Sequence, residues 1–266
     1  MSRLVTTILV LFLLTSVNTQ NPYNATLARK LADLCSVAYC PEDTVCNWDC
    51  PPCKIWEDVK LLDIISQPRY SVFGFIARME EGLVFVFEGT QDIEDVIIDL
   101  QFVTTVPYKD HPTARVHEGF WKAYSSVRDE IMMIAKNTDE TLFCTGHSLG
   151  AAMATLLAVD IQETIGKRCI MYNMGSPRVG NREFVYLFER DSVNHRITHW
   201  NDPVPHLPPL VLGFYHTGDE LWYNEKWDGY VYCEEPESKM CADSRIISMN
   251  VHDHRFYFNK SITACQ

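Results

Sequence analysis

The 266-residue chain has no cluster of basic residues, and its 35 acidic and 23 basic side chains give a formal net charge of −12. Proteins that bind nucleic acids neutralise phosphates with grouped lysine and arginine side chains. We therefore expect no nucleic-acid partner. Attraction to an anionic membrane is disfavoured for the same reason, so any contact with lipid must come from apolar surface.

The chain also lacks an apolar run that could cross a bilayer, which needs roughly 20 residues. The run at residues 4–14 is shorter, follows the basic Arg3 and precedes small and polar residues. This pattern is typical of a secretory signal peptide. We assign residues 1–20 to the signal and expect a secreted protein without a transmembrane segment, with a secretory-pathway organelle as the alternative location.

Internal repeats and low-complexity linkers are absent as well, and 47% of the residues are hydrophobic, which is enough to bury a substantial core. Strand-like and helix-like apolar patterns alternate along the chain. Strands are predicted at 141–145, 169–173 and 196–200, and helices at 121–136 and 151–165. This rhythm predicts an α/β fold, a central mostly parallel sheet flanked by helices. We expect residues 21–266 to form one domain.

Ten cysteines in a secreted chain favour disulfide bonds. Four of them lie in one proline-rich loop, at Cys40, Cys46, Cys50 and Cys53. Such a cluster could hold zinc, but its irregular spacing fits two local disulfides better.

The other six cysteines lie outside this loop. Cys233 and Cys241 could close a small late loop. Cys35 and Cys265 lie near opposite ends of the mature chain, where a bridge would constrain the longest loop of the unfolded state. Two cysteines on predicted buried strands are expected to pack as free thiols: Cys144 and Cys169.

Residues 146–150 (GHSLG) fit the pattern G-x-S-x-G between a predicted strand and a predicted helix. The glycines of this pattern let a strand turn so sharply into a helix that the serine hydroxyl is exposed. Ser148 is therefore the candidate nucleophile. Five-residue patterns also arise by chance, and the alternative is that Ser148 only caps the helix.

A nucleophilic serine needs a histidine to accept its proton and a carboxylate to orient that histidine. Asp202 follows a predicted strand and precedes Pro203, which places it on a loop at the carboxyl edge of the sheet. An Asx turn before proline is the alternative role for Asp202. Spacing does not choose the base among four histidines, His206, His216, His252 and His254.

Six stretches, in this order, resemble the secreted class 3 lipases, the fungal-type triacylglycerol lipase family of the α/β-hydrolase fold. They are 87–90 (FEGT), 116–124 (VHEGFWKAY), 146–150 (GHSLG), 175–181 (GSPRVGN), 201–209 (NDPVPHLPP) and 253–258 (DHRFYF). The resemblance implies that Ser148 is the nucleophile, Asp202 the orienting acid and His254 the base. His252 would then lie on a loop or behind the triad, with His147 and His206 helping to hold the shape of the site.

The resemblance also implies an oxyanion hole. Thr90 would supply its backbone N–H and hydroxyl, and Leu149 its backbone N–H. No metal or organic cofactor is needed. The same family pattern suggests the pairs Cys35–Cys265 and Cys233–Cys241. One departure is Glu88, which stands where many members carry arginine.

The segment 92–100 directly follows the oxyanion-hole residues, and as a helix it would place four apolar side chains on one face. These are Ile93, Val96, Ile97 and Leu100. The position is similar to that of the family's lid, which covers the serine in water and opens at a lipid surface. An ordinary amphipathic helix fixed on the core fits the pattern equally well.

Together these features predict a secreted carboxylic ester hydrolase, first of all a triacylglycerol lipase that forms an acyl-enzyme and contacts a lipid–water interface. A feruloyl-type or short-chain esterase and a phospholipase A1 are alternatives on the same fold. A catalytically silent binding protein is the alternative from another class. We expect a monomer, with N-glycosylation candidates at Asn24 and Asn259.

Overall fold

The computed structural model describes residues 23–94, 97, 101–188, 193–245 and 250–265, so the predicted signal peptide lies outside the described residues. Its strands are β1 (Lys60–Gln67), β2 (Val72–Met79), β3 (Gly82–Phe87), β4 (Thr104–Thr105), β5 (Val116–His117), β6 (Leu142–His147), β7 (Cys169–Met174), β8 (Asn194–His199), β9 (Asp219–Tyr223), β10 (Tyr230–Cys233), β11 (Phe256–Tyr257) and β12 (Lys260–Ser261). Its helices are α1 (Ala25–Ala38), α2 (Glu42–Cys46), α3 (Glu118–Ser125), α4 (Arg128–Lys136), α5 (Leu149–Asp160), α6 (Arg182–Phe188) and α7 (Val251–Arg255).

Eight strands form one sheet in the order β1-β2-β3-β6-β7-β8-β9-β10. The first three strands are antiparallel neighbours, and β10 returns antiparallel to β9. Between them, β3, β6, β7, β8 and β9 run parallel. The topology confirms the predicted α/β fold, and the carboxyl ends of the parallel strands meet at one edge, where α/β proteins place their sites.

The sheet is covered on both faces, because neighbouring side chains of a strand point to opposite sides. On β3, Val84 and Val86 belong to a core shared with α1, whereas Phe85 and Phe87 belong to a core shared with α3, α4 and α5. All but the first residue of α5 is buried. Apart from Thr155 its sequence is apolar up to Asp160, whose carboxylate accepts hydrogen bonds from the Tyr124 hydroxyl and the Arg128 guanidinium, 2.6 Å each.

The prediction of a single helix over 121–136 is wrong, because the helix is interrupted. The Ser126 hydroxyl donates to the carbonyl of Ala123 at 2.6 Å, and the N–H of Val127 bonds back only three residues, to Tyr124. Val127 itself has φ −123° and ψ −1° and is buried. The break turns α4 so that both helices pack on the same core.

The structure pairs the cysteines differently from the expectation in three places. Cys265 is joined to Cys40, with a Cα–Cα distance of 4.8 Å, whereas Cys35 is a buried free thiol whose Sγ lies 3.5 Å from the Thr145 hydroxyl. Cys35 lies on the inner face of α1 and therefore cannot reach the chain end, but Cys40 lies beyond the end of that helix.

In the proline-rich loop there is one local disulfide, Cys50–Cys53, and Cys46 is exposed and free. The expectation of packed free thiols at Cys144 and Cys169 is wrong as well: these residues lie on the adjacent strands β6 and β7 and are bonded. The expected pair Cys233–Cys241 is present.

No helix among the described residues is long and apolar enough to cross a bilayer. The same residues contain no group of three or more histidine, cysteine, aspartate or glutamate side chains arranged to hold a metal ion. Both predicted sequon asparagines are exposed: the Asn24 Oδ1 caps α1 by accepting from the N–H groups of Thr26 and Leu27, and Asn259 lies in the turn between β11 and β12.

Candidate active site

Ser148 occupies a strained turn between β6 and α5. Its φ of 58° and ψ of −124° are unfavourable for a residue with a side chain, and such strain is typical of functional positions. Glycines make the turn possible: a Cβ on Gly146 would lie 2.2 Å from the carbonyl carbon of Gly150, and one on Gly150 would lie 2.2 Å from the Phe87 carbonyl oxygen. The Ser148 side chain forms no capping bond to any described backbone N–H of α5, so the helix-cap alternative is wrong.

Asp202 lies on the loop after β8 and is buried against His254 of α7. Both carboxylate oxygens are 2.9 Å from the His254 Nδ1. Burial acts to raise the pKa of Asp202. The charge of His254 and the hydrogen bonds from His254, Tyr257 and the Val204 N–H outweigh burial and bring this pKa below its usual range. The carboxylate therefore stays ionised and fixes the Nδ1–H tautomer of His254.

The geometry also separates His254 from the other three candidate histidines. His206 contacts Asp243 at 3.1 Å, His216 donates from Nε2 to the carbonyl of Pro205 at 2.7 Å, and His252 is exposed on α7. Of the four histidines, His254 is the one that contacts Asp202. Its other ring nitrogen, Nε2, is buried and has no hydrogen-bond partner among the described residues. This nitrogen is the one that a base in a Ser-His-Asp arrangement uses.

A tyrosine that the sequence analysis did not identify donates a further hydrogen bond to the Asp202 carboxylate. The Tyr257 hydroxyl donates to Asp202 Oδ2 at 2.6 Å, and burial, followed by the neighbouring Asp202 charge, raises the Tyr257 pKa well above its usual range. Gly175 leaves room for this contact, because a Cβ there would lie 2.9 Å from both Asp202 Oδ2 and the Tyr257 hydroxyl. The only signal in the sequence was the position of Tyr257 within the motif that carries His254.

A second missed tyrosine supports the base from behind. The His147 ring packs at a tilt of 31° against the His254 ring with centroids 4.4 Å apart, and its Nε2 lies 2.7 Å from the His254 carbonyl oxygen. A carbonyl only accepts, so Nε2 carries the proton and Nδ1 accepts from the Tyr39 hydroxyl at 2.7 Å. Burial, followed by the nearby His254, lowers the His147 pKa well below its usual range, which keeps the ring neutral. His147 thus links Tyr39 of the N-terminal segment to the His254 backbone, and its role in holding the shape of the site stays a prediction.

The predicted oxyanion-hole residues lie on two sides of Ser148. Leu149 is the first residue of α5, where a backbone N–H has no partner within the helix and points out of its positive end. On the other side, Gly89 brings the loop after β3 so close that a Cβ there would lie 3.1 Å from the Ser148 Cβ. Thr90 follows Gly89 and is half-buried.

Beside Ser148 lies an apolar cavity of only about 20 Å³. Its wall consists of Ile93, Ile97, Phe120, Leu149, Pro177, Val204 and Leu207. Ligand pockets are typically about 300–1,000 Å³, so an ester cannot enter this space as it stands. Two of the four predicted lid residues, Ile93 and Ile97, line the cavity, whereas the side chains of Val96 and Leu100 lie outside the described residues.

Two acidic residues, Glu88 and Glu94, have partners at or near the predicted lid segment. The half-buried Glu88 accepts a hydrogen bond from Gln91 at 3.0 Å, and burial raises the Glu88 pKa. Glu94 forms an ion pair with Arg255, the residue after His254. The segment that covers the serine is therefore tied directly to the helix that carries the histidine.

A serine at a strained strand–helix turn, a buried Asp-His pair and a free backbone N–H at the start of the following helix are groups that acyl transfer uses. With the parallel sheet beneath them, these features define the α/β-hydrolase class. Residues 84–212 match the family model described as lipase (class 3). The chain belongs to the class 3 lipase family.

Relatives of known structure and sequence agree with this assignment. The structure of Rhizomucor miehei triacylglyceride lipase is similar with a TM-score of 0.83 and 31% identity, over 91% of this chain and 96% of that one. A Rhizopus niveus lipase is 30% identical over 251 residues, 89% of this chain. A secreted mono- and diacylglycerol lipase A from Penicillium cyclopium is 34% identical over 182 residues, 65% of this chain. The chain spans 64% of the length of the Rhizopus lipase and 59% of the Penicillium lipase.

Proposed function

We propose that this protein is a secreted serine hydrolase that cleaves the carboxylic esters of acylglycerols, first of all triacylglycerols. The observation that carries the proposal is the combination of a buried Asp202–His254 pair with the strained Ser148, which lines an apolar cavity. The names of the Rhizomucor and Penicillium relatives support tri-, di- and monoacylglycerols as the substrate class. Four disulfide bonds support passage through an oxidising secretory route.

In the proposed reaction, Ser148 Oγ attacks the ester carbonyl carbon while His254 Nε2 takes the serine proton. Asp202 stabilises the imidazolium that forms. The negative oxygen of the tetrahedral intermediate accepts hydrogen bonds from the Leu149 N–H and from Thr90. His254 then gives its proton to the leaving alcohol as the carbon–oxygen bond breaks, and an acyl-enzyme remains. Water attacks the acyl-enzyme by the same route and releases the fatty acid.

The lid is part of the proposal. Ile93 and Ile97 fill the space that an acyl chain would need, so the segment that carries them must move before an ester can reach Ser148. Moving it exposes apolar side chains to water, which is unfavourable by about 25 cal/mol for each Å². A lipid surface would remove this penalty, so we expect activity to rise when the substrate forms an interface.

The central test compares wild type with Ser148→Ala on emulsified triolein and on soluble short-chain esters. We expect the variant to lose at least about 10³-fold in kcat, since the nucleophile is gone. Equal rates for the two proteins would contradict the assignment of Ser148. Labelling by a serine-reactive phosphonate, in detergent that opens the lid, separates an active hydrolase from a silent binding protein, which would not be labelled.

A second test separates lipase from esterase by measuring tributyrin hydrolysis below and above its solubility limit. A sharp rise when droplets form is expected for the lipase, because the lid opens at the interface. A smooth saturation curve would instead favour the short-chain esterase. Parallel assays on phosphatidylcholine and on methyl ferulate examine the phospholipase A1 and feruloyl esterase alternatives.

A further inference from the structure

Four chain segments lie side by side next to the pocket, joined by backbone pairing. Thr104 pairs with His117, Val116 pairs with Gly180, and Gly180 pairs with Tyr215. The two inner segments supply the pocket residues Phe120 and Pro177. The outer segment 203–218 adds Leu207 to the pocket wall. The two outer segments of this four-segment surface are 101–108 and 203–218, and the second of them borders the pocket.

Both outer segments are uncharged and carry exposed apolar side chains. Neither contains an aspartate, glutamate, lysine or arginine, in a chain of which 22% is charged. Their exposed large hydrophobic residues are Phe102, Val103 and Val106 on one side and Leu210, Val211 and Leu212 on the other. Exposed hydrophobic residues normally occur singly, so two groups of three beside one pocket point to a partner.

The second group forms a rigid projection, which we call the apolar turn (Leu210–Leu212). This single 3₁₀ turn is closed by a bond from the Gly213 N–H to the Leu210 carbonyl at 2.9 Å, and Gly213 has the positive φ of 81° that ends it. Val211 at its tip is 89% exposed, whereas Phe214 directly behind it is buried.

The base of the apolar turn is anchored at both ends to the inner segment that carries Pro177. The Arg178 N–H donates to the Leu207 carbonyl at 2.7 Å, and the Tyr215 N–H donates to the Gly180 carbonyl at 2.8 Å. The apolar turn therefore keeps a fixed position relative to the pocket wall. Neither of these two bonds involves the lid segment.

We propose that the apolar turn is a permanent lipid anchor, which inserts into the surface of aggregated neutral lipid and holds the pocket against it. This inference rests on the proposed function, because the same lipid would contain the substrate. The partner is lipid, since a convex tip of three side chains is far smaller than the 20–30 residues that a stable protein interface takes from each side. A fluid lipid surface adapts to such a tip. The lipid is neutral, because the net charge of −12 repels an anionic surface.

The anchor and the lid would then act in sequence. The anchor needs no conformational change, so a protein with a closed lid can already attach. Attachment places the lid segment at the interface, where its apolar side chains can be exposed at a lower cost. Binding to lipid and opening of the lid therefore become separable steps with separate residues.

The test measures partitioning onto triolein droplets coated with phosphatidylcholine, by flotation, in a Ser148→Ala background that leaves the lipid intact. Val211→Asp places a charge at the tip, where no backbone bond or buried contact is lost. We expect it to partition at least about tenfold more weakly. Met133→Asp is the matched control. Met133 is 60% exposed on α4 and lies next to the residues that precede β6, at the sheet edge opposite the site. This variant should not change partitioning.

Kinetics in the Ser148-containing protein complete the test. With p-nitrophenyl butyrate below its solubility limit, Val211→Asp should keep the wild-type kcat/KM within about twofold, because no lipid surface takes part. Unchanged partitioning of Val211→Asp, an equal loss for Met133→Asp, or a tenfold loss on the soluble ester would each overturn the anchor. The anchor would also be overturned if wild type sedimented as a dimer and Val211→Asp dissociated this dimer without weakening lipid binding. If Val211-dependent lipid binding is found but wild type cleaves no ester, the anchor stands and the proposed function fails.

Discussion

Three donors fix the Asp202 carboxylate: two come from the C-terminal motif 253–258 and one from the loop directly after Asp202. His254 Nδ1 contacts both oxygens, Tyr257 donates to Oδ2, and the Val204 N–H donates to Oδ1 at 2.8 Å. A buried carboxylate without such partners would be protonated or would rotate away. Tyr257 is therefore a positioning residue, which acts on the proposed reaction through Asp202 and does not line the cavity.

Tyr257→Phe tests this role because it removes only the hydroxyl. We expect kcat on a soluble ester to fall about tenfold, or about 1.4 kcal/mol, near the lower limit for a hydrogen bond to a charged group. KM should stay unchanged, since Tyr257 does not line the substrate cavity. Tyr186→Phe, at a half-exposed tyrosine of α6, is the control. A rise in KM without a fall in kcat would assign Tyr257 to substrate binding.

The sequence allowed prediction of the residues that the motifs name but not of the groups behind them. Ser148 and Asp202 could be located because the chemistry requires a serine at a tight turn and an acid after a later strand. Tyr39 could not, since it lies 108 residues before its partner His147 and only the packing of α1 on the sheet brings them together. Local patterns contain no information on such long-range contacts.

The Arg255–Glu94 ion pair connects the lid segment to α7, with N and O atoms 2.5 Å apart and the side chains 38% and 51% exposed. Exposed ion pairs contribute up to about 1 kcal/mol and are weakened by salt. In the proposed lid mechanism this pair favours the closed position. The Arg255–Glu94 ion pair is therefore weak enough for a lipid interface to overcome.

Glu94→Gln should raise the rate on a soluble ester up to about fivefold, because the open lid becomes up to about 1 kcal/mol more accessible. Added salt should stimulate wild type and leave the variant nearly unaffected. Glu140→Gln removes the Arg78–Glu140 ion pair, which lies away from the lid. It should change neither the rate on the soluble ester nor the response of that rate to salt. A variant as slow as wild type at every salt concentration would mean that the pair does not hold the lid.

Disulfide pairing shows where element-level prediction fails. The end-to-end bridge was expected at Cys35. Cys35 lies on the inner face of α1, however, and Cys40, five residues later, forms the bridge to Cys265 instead. Cys144 and Cys169 were recognised as buried strand residues, yet their pairing depends on β6 and β7 being neighbours. Strand order is a property of the assembled sheet, so sequence spacing alone could not indicate it.

Replacing Cys144 and Cys169 together by alanine tests the bridge between β6 and β7. The bond spans 25 residues, and removing it should lower the free energy of unfolding by roughly 2–4 kcal/mol. The urea midpoint under non-reducing conditions measures this loss. Cys46→Ala, at the exposed free cysteine, is the control and should leave the midpoint unchanged. Equal midpoints for all three proteins would argue against the disulfide.

At the scale of the whole molecule, two buried neutral histidines make stability depend on pH. Burial is the main cause that lowers the pKa values of His147 and His216 well below the usual range, followed by His254 for the first and by Arg196 and Arg178 for the second. In the unfolded chain both histidines titrate near pH 6.5. Below that pH the unfolded state binds protons that the folded state does not, so acid favours unfolding.

The expected result is a free energy of unfolding that is highest above pH 6.5 and falls below it by about 1.4 kcal/mol per pH unit for each histidine. His216→Asn retains a side-chain donor for the Pro205 carbonyl and removes one titrating group, so the slope between pH 6 and 5 should decrease by that amount. His252→Asn, at an exposed histidine, should keep the wild-type slope. Urea unfolding at several pH values measures all three. If wild-type stability is flat between pH 7 and 5, the folded protein must accept protons at these histidines, and burial does not keep them neutral.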